Sequence, residues 1–217
     1  NENGLASHGE GNAPPTGYQL MTFRIFGYTP RPTAPDGLSI DGWYEGGDDL
    51  ALTIKTPSGT LVGPVSKGGT LAMPTPDGWV SIDQTGVEGT NSNGDVEVLI
   101  EVSDAAGVPP TVGEYELRLA RNTAPNGGHV DFWIYDETFP YPPAMAQGRT
   151  ETKTVLAPAT ADSVIAVAAH TTRASWQSIN GTVYSYGQTL NQIGNFSSIG
   201  PRRDGAQKPD LSAPGTA

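Results

Sequence analysis

Short runs in which apolar and polar residues alternate recur through the first two-thirds of the chain. In the run 49–56, Leu50, Leu52 and Ile54 share one face of an extended strand. The run 114–120 repeats the pattern, with apolar residues at every second position. A period of two with one polar face is typical of antiparallel sheet. The runs of this kind are 18–25, 37–44, 49–56, 78–83, 95–102, 114–120 and 129–136.

Turn-forming residues separate these runs. The chain has 28 Gly and 19 Pro, and clusters such as 57–59, 92–94 and 125–128 lie between predicted strands. Seven or eight short strands in about 120 residues predict a mainly β fold, an antiparallel β-sandwich or jelly roll. We assign it to residues 16–140, after an irregular loop at 1–15.

The last third has a different pattern. Residues 164–167, Val-Ile-Ala-Val, do not alternate and predict a strand buried on both faces. Asn180-Gly181 predicts a hairpin turn. The charge changes as well: residues 1–148 contain 6 basic and 19 acidic side chains, whereas residues 149–217 contain 6 and 4. These changes indicate a domain boundary, which we place at residue 141.

Composition excludes several classes of function. The net charge of −11 disfavours nucleic-acid binding, which needs a basic face. The absence of cysteine excludes disulfides and thiolate metal sites. No apolar run approaches the roughly 20 residues of a membrane span, so we expect none.

Three segments, taken in order, resemble the subtilase family of serine peptidases. Asn1-Glu2 is similar to the end of the family's Gly-Asn-Glu turn, and residues 158–167 are similar to a segment that returns to the catalytic core. Residues 195–201, Asn-Phe-Ser-Ser-Ile-Gly-Pro, and residues 208–215, Lys-Pro-Asp-Leu-Ser-Ala-Pro-Gly, resemble a longer family stretch. Three matches in family order are far more specific than one.

The resemblance implies a secreted or cell-surface endopeptidase that acts on protein or peptide substrates. It implies that residues 1–15 are the oxyanion-loop segment of the catalytic domain and residues 141–217 an incomplete α/β segment of it. The rest of the catalytic domain would be their partner. Asn1 would donate its side-chain N–H₂ to the oxyanion of the transition state. The family motifs of the catalytic Asp, His and Ser do not occur, so the chain is expected to start after two triad members, stop before the third and lack activity alone.

Residues 16–140 carry a weaker likeness. Residues 43–60 and 113–119 resemble strands of the P-domain jelly rolls of proprotein convertases. Some large bacterial subtilases, among them clostridial germination proteases, carry such a jelly roll as an insert. An alternative stays open: a non-catalytic β-sandwich that binds a glycan or a protein partner, which would need exposed Trp residues among Trp43, Trp79 and Trp133.

Other candidate chemistry is weaker. Residues 83–87, Asp-Gln-Thr-Gly-Val, resemble the catalytic Asp motif but are interpreted as a hairpin loop. None of His8, His129 and His170 has a carboxylate or a second His at metal-site spacing, so we predict no metal ligands. No cofactor is required; Ca²⁺ in acidic loops such as 45–49 or at Asp36 and Asp41 is an option, with a solvated surface as the simpler interpretation.

Overall fold

The computed structural model describes residues 7–86, 93–135, 138–185 and 187–216. The chain divides into two compact units, of which one is Ser7–Thr150 and the other includes the described residues from Glu151 onward. Asn1 lies outside the described residues.

The Ser7–Thr150 unit consists of two antiparallel sheets. The six-stranded sheet has the order β1-β10-β3-β8-β7-β6, and the five-stranded sheet has the order β11-β2-β9-β4-β5. The strands are β1 (His8–Asn12), β2 (Tyr18–Ile25), β3 (Gly37–Tyr44), β4 (Asp49–Lys55), β5 (Leu61–Val65), β6 (Thr70–Thr75), β7 (Gly78–Asp83), β8 (Val96–Ser103), β9 (Gly113–Thr123), β10 (His129–Tyr135) and β11 (Ala144–Met145).

One buried apolar cluster joins the inner faces of the two sheets. The alternating positions predicted from the sequence supply it: Leu50, Leu52 and Ile54 of β4 are fully buried, as are Tyr115, Leu117 and Leu119 of β9. Phe23 and Tyr115 stack at 5.1 Å between ring centroids on neighbouring strands. Burial of a large apolar side chain contributes about 1.5–3 kcal/mol, so the alternation accounts for the packing of the two sheets.

The prediction of a mainly β, antiparallel fold is confirmed. All seven predicted runs are strands to within three residues at each end. Strands β1, β5 and β6 were missed because they contain Gly or Pro, or are largely polar. None of the described residues forms a helix, so none of them forms an apolar helix long enough to cross a membrane.

The β-sandwich unit, Ser7–Thr150, extends beyond the predicted range 16–140 at both ends. Strand β1 pairs with β10 along its whole length, and β11 pairs with β2. Strands β1 and β11 are therefore hydrogen-bonded parts of the Ser7–Thr150 unit. The assignment of residues 1–15 and 141–217 to a catalytic domain stays a prediction.

The second unit contains two small sheets. Strands β12 (Val167–Thr171) and β15 (Leu211–Thr216) pair in parallel, and β13 (Ser175–Gln177) and β14 (Val183–Ser185) form the hairpin predicted at Asn180-Gly181. The predicted strand at 164–167 starts only at Val167. The prediction of burial on both faces is wrong for this chain, since Ile165 is 72% and Val167 is 53% exposed, while Ala166 is buried.

We expect residues 7–150 to fold on their own, because the apolar core closes within this unit. The excised segment should show a β-type circular dichroism spectrum and one cooperative melt. The shorter segment 16–140, which lacks β1 and β11, should melt lower by roughly 5 °C or more. Absence of a cooperative transition in residues 7–150 would contradict the prediction.

Candidate functional site

The second unit places the two long family-like segments side by side. Asp210, just before β15, binds the chain just before β12: its Oδ2 accepts a hydrogen bond from Ala166 N at 2.7 Å, and its N–H donates to Ala166 O at 2.9 Å. Lys208 donates from Nζ to the same carboxylate at 2.8 Å and to the carbonyl of Val164. The Lys-Pro-Asp motif thus sets the register in which β12 and β15 begin to pair.

The surroundings of Asp210 favour its ionised form. The Lys208 ammonium and the Ala166 N–H both bind the Asp210 carboxylate, and this lowers the pKa of Asp210 below its usual range. Lys208 is 5% exposed, so its charge is held in the protein by these two acceptors. Lys208 and Asp210 therefore position the starts of β12 and β15, and neither is a nucleophile.

Two hydrogen bonds between a side-chain oxygen and a backbone N–H hold the segment 195–201 in place. Ser197 Oγ accepts from Ala169 N in β12 at 3.0 Å, and Ile199 N donates to Thr154 Oγ1 at 2.8 Å. At Gly200 a Cβ atom would overlap the carbonyl oxygen of Lys208. This close approach explains in physical terms why a Gly occupies that position.

A shallow pocket of about 300 Å³ lies between these segments. Its wall is mostly apolar, with Ala168, Ile193, Ile199 and Leu211, and Lys208 also lines it. The described residues that line it include neither a histidine nor a carboxylate. The pocket can therefore bind an apolar group, but it has no acid–base pair of its own.

The comparisons agree with this architecture. Residues 126–217 match the sequence model of the subtilase family. The fold of 99% of this chain is similar to 40% of the chain in the structure of the CspB protease of Clostridium perfringens, with a TM-score of 0.68 and 20% identity. No curated protein sequence matches the chain.

The resemblance to the subtilase family is thereby confirmed for residues 126–217. The chain spans about 40% of the length of the Clostridium protease chain. At 20% identity that likeness is one of fold.

A second polar cluster, on the Ser7–Thr150 unit, was not predicted. His8 and Glu10 of β1 and Asp131 of β10 bring one ligand atom each within 4.8 Å of one another. His8 Nε2 lies 3.1 Å from Asp131 Oδ1, and His8 and Asp131 are 0% and 1% exposed. On the other side of Asp131, His129 Nε2 lies 3.3 Å from Oδ2 and 3.8 Å from Glu10 Oε2.

The expectation that no histidine has a carboxylate at metal-site spacing is therefore wrong for His8. His8 and Asp131 are 123 positions apart, and only the pairing of β1 with β10 brings them together. A signal did exist in the sequence: polar residues alternate on both segments, as His8, Glu10, Asn12 and as His129, Asp131. Strand register was needed to join the two.

Residues 83–86, the described part of the segment that resembles the catalytic Asp motif, make hydrogen bonds typical of a strand end and a loop. Asp83 ends β7 and binds Thr85 in a loop, as expected for the part of 83–87 that the structure describes. Gln84 is buried, accepts from Tyr44 OH at 2.7 Å and donates to Val65 O at 2.7 Å.

The acidic loops considered for Ca²⁺ already use two of their carboxylates. Asp48 accepts from Asn126 N and Gly128 N, and Asp36 accepts from Arg31 N, each at 2.8–2.9 Å. Calcium binding stays a prediction.

The tryptophans do not form the exposed row that a glycan-binding surface would need. Trp133 is 8% exposed and stacks on His8 at 4.7 Å, while Trp43 and Trp79 are half-buried. None of the three belongs to the core cluster between the sheets. The alternation of β10 places Trp133 with His129 and Asp131, on the side of the sheet away from that core.

Proposed function

We propose that this chain is part of a secreted or cell-surface subtilisin-like serine endopeptidase, which hydrolyses peptide bonds through an acyl-enzyme. The single observation that carries the proposal is the parallel pairing of β12 with β15, locked by Lys208 and Asp210. The end of the family-like segment 158–167 and the family-like segment 208–215 thus lie side by side where this sheet begins. The match of residues 126–217 to the family supports the same proposal.

Within this proposal, Asn1 is the oxyanion donor, and the rest of the catalytic domain supplies the Asp-His-Ser triad. A neutral amide suits the role because it donates without competing as a base. The Ser7–Thr150 unit contributes stability or contacts to substrate and partner. The binding-module alternative has no specific observation in its favour, since its expected row of exposed tryptophans is not found among Trp43, Trp79 and Trp133.

The test compares the 217-residue chain with a longer protein that adds the neighbouring parts of a catalytic domain. We expect the longer protein to cleave casein and fluorogenic peptides and to lose this activity with a serine-directed sulfonyl fluoride. The 217-residue chain should show no turnover, because an oxyanion donor without nucleophile and base has no covalent route. A folded longer protein without inhibitor-sensitive cleavage would refute the proposal, as would inhibitor-sensitive cleavage by the purified 217-residue chain.

A further inference from the structure

We propose that His8, Glu10 and Asp131 form a binding site for a divalent transition-metal ion of the zinc class. The inference is independent of the peptidase proposal, because it rests only on strands β1 and β10 of the Ser7–Thr150 unit. The three side chains project from the same side of this strand pair. Glu10 is directly opposite Asp131, and His8 is two residues away on β1, opposite Trp133.

The distances fit a tetrahedral ion. With metal–ligand distances of about 2.0–2.1 Å, two ligand atoms of a tetrahedral site lie about 3.3 Å apart. His8 Nε2 and Asp131 Oδ1 are 3.1 Å apart, and the Glu10 ligand atom lies within 4.8 Å of both. A rotation of the half-exposed Glu10 side chain closes the remaining gap.

His129 is not one of the three grouped residues, and it is the candidate fourth ligand because it lies beside Asp131 Oδ2, the oxygen that does not face His8. Its Nε2 is 3.3 Å from Asp131 Oδ2 and 3.8 Å from Glu10 Oε2, both close to a tetrahedral edge. The ring is 41% exposed and can turn toward the ion. Two imidazoles and two carboxylates then make a complete zinc donor set.

The site is preorganised at His8. Its ring is fully buried and stacks on Trp133 at an interplanar angle of 25°, which fixes the ring plane. Nδ1 of His8 is buried and has no hydrogen-bond partner among the described residues. The nitrogen that faces the site is Nε2, so a metal ion bound there leaves the proton of the neutral ring on Nδ1.

The donor chemistry selects the metal. Imidazole nitrogen is a favoured ligand of zinc, copper, nickel and iron, whereas Ca²⁺ and Mg²⁺ take oxygen. A His-Glu-Asp set with a second His therefore favours Zn²⁺ over Ca²⁺. This separates the cluster from the acidic loops considered earlier for calcium.

The experiment titrates the metal-free 217-residue chain with ZnCl₂ by calorimetry, and with CoCl₂ by visible absorption. We expect one equivalent of Zn²⁺ to bind and Co²⁺ to give the d–d bands of a low-coordinate site. Glu10→Gln keeps the size of a half-exposed side chain and should weaken Zn²⁺ binding more than about tenfold. His129→Gln should weaken it as well.

Glu101→Gln is the matched control, because Glu101 is an exposed glutamate of β8 in the same sheet. It should leave Zn²⁺ binding unchanged. Circular dichroism melts without metal establish that all three glutamine variants are folded. Absence of Zn²⁺ binding in the wild type, or equal affinity in wild type and Glu10→Gln, overturns the proposal.

Discussion

Replacement of Phe132 by Ala is expected to lower the free energy of unfolding of the Ser7–Thr150 unit by about 3–5 kcal/mol. Phe132 is fully buried in β10, and its cross-strand partners on both sides are glycines, Gly9 in β1 and Gly42 in β3. A Cβ on Gly42 would lie 2.5 Å from the Phe132 ring, so the ring occupies the space that a side chain would otherwise fill. Neighbours without side chains cannot fill the cavity, which places the cost in the upper part of this range.

The matched control is Phe26→Ala, which removes the same ring from a site that is 38% exposed. It should change the stability by less than about 1 kcal/mol. Both variants are measured by urea unfolding of residues 7–150, followed by circular dichroism, with equal slopes as the check on two-state behaviour. Similar losses in the two variants would show that Phe132 is not the central packing residue proposed here.

The second large effect concerns Asn1 in the longer protein. Asn1→Ala should lower kcat by about 10²–10³, the loss known for the oxyanion asparagine of subtilisin, and should leave KM almost unchanged. The interaction is made with the transition state, so its removal does not weaken substrate binding to the same degree. Peptide hydrolysis under saturating substrate measures it.

Asn122→Ala serves as the control, since Asn122 is an exposed asparagine of β9 bonded to Ser66. It should retain the wild-type kcat. Labelling with a fluorophosphonate should confirm that the nucleophile is intact in both variants. A kcat for Asn1→Ala within about threefold of wild type would remove Asn1 from the mechanism.

The parts of the fold that the sequence predicted are those determined by local alternation. Strand β2 and strand β3 have the predicted bounds to the residue, because both are bordered by turn formers and β3 alternates over all eight positions. Strand β1, His-Gly-Glu-Gly-Asn, has no apolar residue at all. Its glycines face the core, where Met145 and Met21 fill the space, so its burial depends on neighbours that a local pattern does not reveal.

In the candidate sites too, motifs within one segment were recognised from the sequence, whereas contacts between residues far apart in the sequence were not. The Lys-Pro-Asp motif was recognised as a family resemblance, but its role came only from the structure, where Asp210 binds Ala166 across 44 positions. The cluster of His8 and Asp131 depends on a pairing across 123 positions. Ionisable residues on separate strands become a site through register, which the sequence of each strand leaves undetermined.

The two ends of the Ser7–Thr150 unit are joined by hydrogen bonds. Thr150 N donates to His8 O at 3.1 Å, and Gly9 and Arg149 form an antiparallel bridge. A module whose first and last residues are adjacent can replace a loop of a few residues in another polypeptide, however many strands the module contains. Gain or loss of such a module in evolution therefore leaves the two ends of the replaced loop in place. Closing a loop that contains the module costs almost no further entropy, because the folded module already holds its own ends together. The same adjacency makes the unit suited to circular permutation, because a short linker from Thr150 to Ser7 would join its termini without stretching either strand.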